Sequence, residues 1–182
     1  AVPTAETEVS WRATESFAAR LRACSAVPTT STPLIRGMYA ITGGLGGLGL
    51  RATKLLVDGG APAVVLSSRS GLVSTSAVAA QSGAAIWSMT CDVGDATDTL
   101  TLLACATFVG VLHTAGVLYD KMLRSMASVD VQASFAPKAL AASHVQMVMM
   151  CTPLEALGLF SSIASTFGSV GQANYAAANG YQ

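Results

Sequence analysis

Tyr39-Ala40-Ile41-Thr42-Gly43-Gly44-Leu45-Gly46-Gly47-Leu48-Gly49 decides the fold of this 182-residue chain. A short apolar run ends in a glycine-rich turn. A helical pattern follows through residues 50–57 and stops at Gly59-Gly60. Strand, Gly44-x-Gly46-x-x-Gly49, helix is the order that a dinucleotide pyrophosphate requires. Small residues let the backbone approach the phosphates. The helix N-terminus supplies unpaired N–H groups and positive potential. Thr42, Gly43, Gly44, Leu45, Gly46, Gly47, Leu48 and Gly49 are therefore candidate cofactor-binding residues. The bland alternative is a glycine-rich strand-to-helix turn that holds nothing.

Moving outward, strand patterns recur at residues 63–67, 86–90, 108–113 and 157–161. Helices are expected after Ser74, over residues 137–150, and from near Asn174. Strands alternating with helices predict an α/β fold with a doubly wound parallel sheet, Rossmann-like in plan. Residues 1–36 read differently. Two short strands, or a strand and a turn, are expected within residues 8–21, and residues 28–33 read as a linker. Residues 99–119 carry no formal charge, but threonines, histidine and glycines interrupt them. A buried helix end followed by a buried parallel strand accounts for such a run without a membrane span.

Apolar residues make up 52% of the chain and charged residues 11%. Ten basic residues balance ten acidic ones, so nothing points to nucleic acid or an anionic membrane. Cys24, Cys91, Cys105 and Cys151 are scattered, which favours reduced, buried thiols over disulfides or a metal site.

Several residues can carry chemistry. Tyr175 is a proton donor that a nearby cation can make acidic enough to use, and Ser162 offers a hydroxyl that can hold a carbonyl oxygen. Tyr175 and Asn179 lie one helical turn apart and share a face. Arg69 stands about 20 residues past the loop, where an NAD enzyme places an acid. A guanidinium there can pair with a 2′-phosphate, or it is a solvated surface arginine. Asp92 follows the third strand, where it can accept from an adenine amine or cap the next segment. His113 and His144 read as structural.

With these residues assembled, the chain resembles the ketoreductase domain of a modular polyketide synthase or an animal-type fatty acid synthase, within the short-chain dehydrogenase superfamily. The resemblance rests on the glycine loop, Leu66-Ser67-Ser68-Arg69, Cys91-Asp92-Val93, Val111-Leu112-His113-Thr114-Ala115-Gly116, Pro137-Lys138, Phe160-Ser161-Ser162 and Gly171-Gln172-Ala173-Asn174-Tyr175-Ala176-Ala177-Ala178-Asn179. It implies catalytic roles for Tyr175, Ser162, Lys138 and Asn179. The family exchanges lysine and asparagine relative to simple short-chain dehydrogenases, which selects Lys138. It adds Ser68, Arg69, Asp92, Val93, Ala115, Gly116, Lys138 and Tyr175 to the cofactor site. The implied cofactor is NADPH and the implied substrate a β-ketoacyl thioester on the phosphopantetheine of an acyl carrier protein. Other domains of the same synthase are the implied partners, and the cytoplasm the implied location. Leu118, Asp120 and Phe167 fall at the positions tied to stereocontrol: Asp120 is kept, Tyr119 replaces an aspartate, and Phe167 stands where a tryptophan would mark the L-product. The expected product is D-hydroxy.

The resemblance also divides the chain. Residues 1–36 look like the tail of a structural subdomain and a linker, and residues 37–182 like the NADP-binding catalytic domain, incomplete at its C-terminus. The stretches between Arg69 and Asp92 and between Asp92 and His113 are shorter than the family pattern, so shortened helices are expected. Two other readings stand beside the reductase: a non-catalytic remnant kept as scaffold in a megasynthase, and a free-standing reductase of small ketones.

Overall fold

In the computed structural model, residues 9–18, 20–24, 35–71, 83–150 and 154–182 are described. The chain divides into two units, Ala1–Ser31 and Thr32–Gln182. In the first, β1 (Ser10–Arg12) and β2 (Glu15–Phe17) pair antiparallel, as the two-strand reading expects. The turn between them holds Ala13 at φ 53, in the left-handed region. The proposed linker lies outside the described residues.

The second unit carries β3 (Met38–Thr42), α1 (Gly47–Asp58), β4 (Ala63–Ser68), β5 (Ala85–Thr90), α2 (Ala96–Ala104) and β6 (Phe108–His113). A 3-10 turn (Leu123–Ser125), α3 (Ser128–Phe135), a π-turn (Ala136–Leu140) and α4 (Ala141–Met149) follow. The last elements are β7 (Ala156–Leu159), α5 (Ala164–Phe167) and α6 (Ala173–Tyr181). The five strands lie in the order β5-β4-β3-β6-β7, all parallel. The chain thus starts in the middle of the sheet, winds to one edge, and returns to build the other.

Side-chain alternation explains why both faces are covered. Ala40, Val65 and Val111 point to one face and pack with Leu102 of α2 and Val145 of α4. Tyr39, Ile41, Val64 and Leu66 point to the other and pack with Ala52 and Leu56 of α1. Each buried Val, Leu or Ile side chain contributes about 1.5–3 kcal/mol, so these two layers hold the sheet against chain entropy.

One helix departs from expectation. The sequence places a helix start at Pro137; the structure starts the helix at Ser128 and carries it through the proline. Proline lacks an N–H and its ring collides with the carbonyl four residues before it. Widening the helix to a π-turn at Ala136–Leu140 removes that collision. The expected helix after Ser74 lies outside the described residues. No described helix is long and apolar enough to cross a membrane, and residues 99–119 are the end of α2, β6 and a loop. Cys91 is buried as expected, but Cys24 and Cys105 are exposed free thiols. Both stand outside the two core layers: Cys105 at the α2 C-cap, Cys24 in the first unit.

Candidate functional site

The site begins where β3 ends. Gly43 sits at φ 66, and a Cβ there would fall 2.5 Å from Ala115 Cα. A Cβ on Gly49 would fall 2.5 Å from Gly44 Cα, so these two glycines let α1 pack onto the strand end. α1 has no side-chain cap at Gly46 and no acidic residue in its first turn. Its leading N–H groups are thus left for an outside acceptor.

A cleft of about 270 Å³ opens at this edge of the sheet, lined by Gly43, Gly46, Ser68, Arg69, Cys91, Asp92, Val93, Thr114, Ala115, Gly116, Val117 and Pro137. It gathers eight of the candidate cofactor residues from four separate loops. Thr42, Gly44, Leu45 and Gly49 lie behind the lining. Thr42 is fully buried, and Leu45 packs on the core. Leu48 is exposed. Arg69 is exposed at the cleft's rim. Asp92 is not the cap of α2. Asp95 is, accepting from Thr97 N at 2.8 Å and Asp98 N at 3.0 Å. Asp92 Oδ1 instead accepts from Gly94 N at 3.0 Å, an Asx turn that turns the chain beside the cleft. Cys91, Thr114, Val117 and Pro137 line the cleft as well, outside the expected cofactor set. Burial, chiefly, pushes the Cys91 thiol up to about 11, so it lines the cleft as a neutral, apolar wall.

Lys138 lies just behind. The π-turn carries it inward, 3% exposed, and Gly116 makes room: a Cβ there would meet Lys138 Cε at 2.7 Å. Its Nζ donates to Phe160 O, at the end of β7. Burial holds the lysine below its ordinary pKa. Two residues on, Ser162 Oγ accepts from Ala164 N at 3.2 Å, which leaves its own proton to donate. Ser161 Oγ donates to Asn179 O at 2.9 Å and so ties this loop to α6.

α6 carries Tyr175 and Asn179. Asn179 is 2% exposed and donates from Nδ2 to Tyr175 O at 2.8 Å, while its buried Oδ1 has no partner among the described residues. An orphaned amide oxygen costs free energy unless something donates to it. His113, fully buried at the end of β6, shares a hydrogen bond between Nδ1 and Thr42 Oγ1 at 2.6 Å. Its Nε2 turns toward the backbone of Pro137 and Lys138 without a hydrogen bond of ordinary geometry. Burial first, then the charge of Lys138, lowers its pKa to about 4. The structural reading of His113 thus holds on one nitrogen only.

Leu118 and Phe167 are exposed, with 58% and 48% of their surface open. Asp120 accepts on both carboxylate oxygens from Gln172 Nε2 at 3.2 Å. Among the described residues no cluster of acidic, histidine or cysteine side chains is suited to a metal.

The KR domain family matches residues 37–182. Polyketide synthase GfsB of Streptomyces halstedii is 34% identical over 187 residues, covering 97% of this chain and 3% of that protein. A mycocerosic acid synthase-like polyketide synthase of Mycobacterium tuberculosis is 37% identical over 154 residues, covering 80% of this chain and 7% of that protein. The chain therefore spans a small part of these relatives. A solved structure described as A-type ketoreductases from a modular polyketide synthase superposes with TM-score 0.85 at 34% identity, over 97% of this chain and 40% of that one. The first ketoreductase of the tylosin polyketide synthase gives 0.83 at 30% identity, again over 97% and 40%.

Proposed function

The chain belongs to the KR domain family, oxidoreductases of the short-chain dehydrogenase type, and on that premise we propose that it reduces a carrier-bound β-ketoacyl thioester to the β-hydroxyacyl thioester with NADPH. One observation carries this reading. Lys138 sits behind cleft-lining Gly116 and Pro137 and bonds the end of the strand that leads to Ser162. That link between the cleft and the loop carrying Ser162 supports a reading in which Lys138 serves both cofactor and carbonyl chemistry.

The cleft lining suits a nicotinamide dinucleotide: the uncapped helix N–H groups would take the pyrophosphate, Asp92 the adenine amine, and Arg69 a 2′-phosphate. When bound, NADPH supplies a hydride to the β-carbon. Ser162 keeps its proton and hydrogen-bonds the carbonyl oxygen through its hydroxyl as charge develops. Tyr175 passes its proton to that oxygen. Lys138, as a cation, stabilises the tyrosinate left behind and binds the nicotinamide ribose. The unpartnered Oδ1 of Asn179 accepts from a relay water or from Lys138. An acyl carrier protein and the neighbouring synthase domains are the partners this chemistry implies, and Asp120 supports the D-hydroxy product.

The test is NADPH consumption on adding a β-ketoacyl thioester mimic, with chiral chromatography of the product. Turnover of the thioester, yielding mainly D-hydroxy acid, is expected. Cofactor binding without turnover would mark a scaffold. Equal turnover of small ketones would mark a general reductase. Mainly L-product would overturn the reading of Asp120.

A further inference from the structure

We infer that Asn174 is the positioning residue of this site: it fixes Tyr175 at the start of its helix and locks residues 118–121 to that helix. The inference rests on the reading of Tyr175 as proton donor. Asn174 is 3% exposed, a buried amide that is unfavourable in a helix unless every polar atom is satisfied. Its two N–H bonds face three acceptors: Tyr119 O at 3.0 Å, Asp130 O at 3.1 Å and Ser134 Oγ at 3.0 Å. One proton is shared among them. Its Oδ1 accepts from Tyr175 N at 2.9 Å. A flipped amide would turn oxygen onto two carbonyls, so the network fixes the orientation.

Flanking bonds brace the same loop. Lys121 N donates to Gly171 O at 2.7 Å, and Lys121 Nζ donates to the buried Asp130 carboxylate at 2.8 Å. That carboxylate also accepts from Ala127 N at 2.7 Å, so α3 and the loop share one anion. Gln172 holds Asp120. Among the described residues, Asn174 is the side chain that bonds the loop, α3 and Tyr175 together. The consequence is mechanical. The height of the tyrosine hydroxyl and the placement of Leu118 and Asp120, which face the substrate in the proposed reaction, move as one body.

Asn174→Ala and the milder Ser134→Ala test this by two independent readouts. The first is hydrogen–deuterium exchange. Amides of residues 118–121 and of residues 175–177 should speed up together in Asn174→Ala, and less in Ser134→Ala. The second is kinetics on the thioester mimic. Turnover by Asn174→Ala should fall about 10- to 100-fold, the scale of a small misplacement of a reacting group. NADPH affinity should be unchanged, and the hydroxy product should lose stereochemical purity. Faster exchange in one segment only, or unchanged turnover and product ratio, would overturn the inference. If Asn174→Ala does not fold, joint exchange in Ser134→Ala decides. Absence of turnover in the parent protein would sink the proposed function, while the exchange result would still decide the clamp.

Discussion

The two halves of the sheet's carboxyl edge are built by opposite means. On the side of β3, β4 and β5 the site is backbone and empty space. Gly43 and Gly49 sit where a Cβ would strike a neighbour's main chain, and α1 starts without a cap. On the side of β6 and β7 the site is buried polar side chains: Lys138, His113, Asn174 and Asn179, all nearly sealed from solvent. In the proposed reaction the first half would hold the dinucleotide, with little backbone movement needed. In the proposed reaction the second half would carry the proton, and of these four side chains Asn179 Oδ1 and His113 Nε2 are the buried atoms left unpartnered among the described residues.

The sharpest break between the halves is Tyr175→Phe. It keeps the ring and removes the donor, so turnover should fall by about 10²–10⁴ while NADPH binding stays intact. Single-turnover kinetics beside a cofactor titration measures both. A variant with more than about a tenth of the parental rate would show that the proton comes from elsewhere.

Gly43→Ala should act on the other half. The left-handed φ and the contact with Ala115 make the added methyl costly, about 2–4 kcal/mol of stability. Denaturant unfolding reads the loss, and cofactor affinity should fall with it. Unchanged stability would mean that the turn relaxes freely and is not the rigid cradle described.

Arg69→Ala is gentler. Losing a charge-assisted pair with a 2′-phosphate should weaken NADPH binding about tenfold to hundredfold and leave NADH binding unchanged. Equal effects on the two cofactors would remove Arg69 from phosphate recognition and return it to the solvated surface.

The same contrast decides what the sequence makes legible. Gly44-x-Gly46-x-x-Gly49 is local, so its loop can be read from eleven consecutive residues, and the parallel sheet follows from the alternation around it. The polar half is assembled across long separations. Asn174 meets Tyr119 and Ser134 through contacts 55 and 40 residues apart, and no local pattern announces them. Pro137 misleads for a related reason. Proline at a helix start is the common case, and only the π-turn that buries Lys138 lets it stand mid-helix. Asp92 misleads more mildly, because Asp95 lies close by with the same chemistry. Lys138 itself enters through family resemblance, since a lone lysine carries no signal of its own.

The smallest expected effect tests whether the buried half tolerates charge. His113 has a folded pKa of about 4 against an ordinary 6.5, because burial and then Lys138 oppose its protonation. Between these values the unfolded chain binds a proton that the folded chain refuses. The stability tied to the neutral ring is therefore complete above the ordinary value and is lost as pH falls toward 4. Integrated from about pH 7 to about pH 5.5, the loss is about 1 kcal/mol. Asp130, held below its ordinary 3.8 chiefly by its hydrogen bond from Lys121, adds its own loss only at lower pH. Urea unfolding at the two pH values, in the parent and in His113→Asn, isolates the histidine. The parent should lose about 1 kcal/mol more than the variant over that interval, whatever the variant's absolute stability. Identical pH dependence would mean that the imidazole accepts a proton in place, with Nε2 donating to the Pro137 or Lys138 carbonyl. The π-turn would then stabilise a cation beside Lys138, and the buried half would be no less adaptable than the cradle across the sheet.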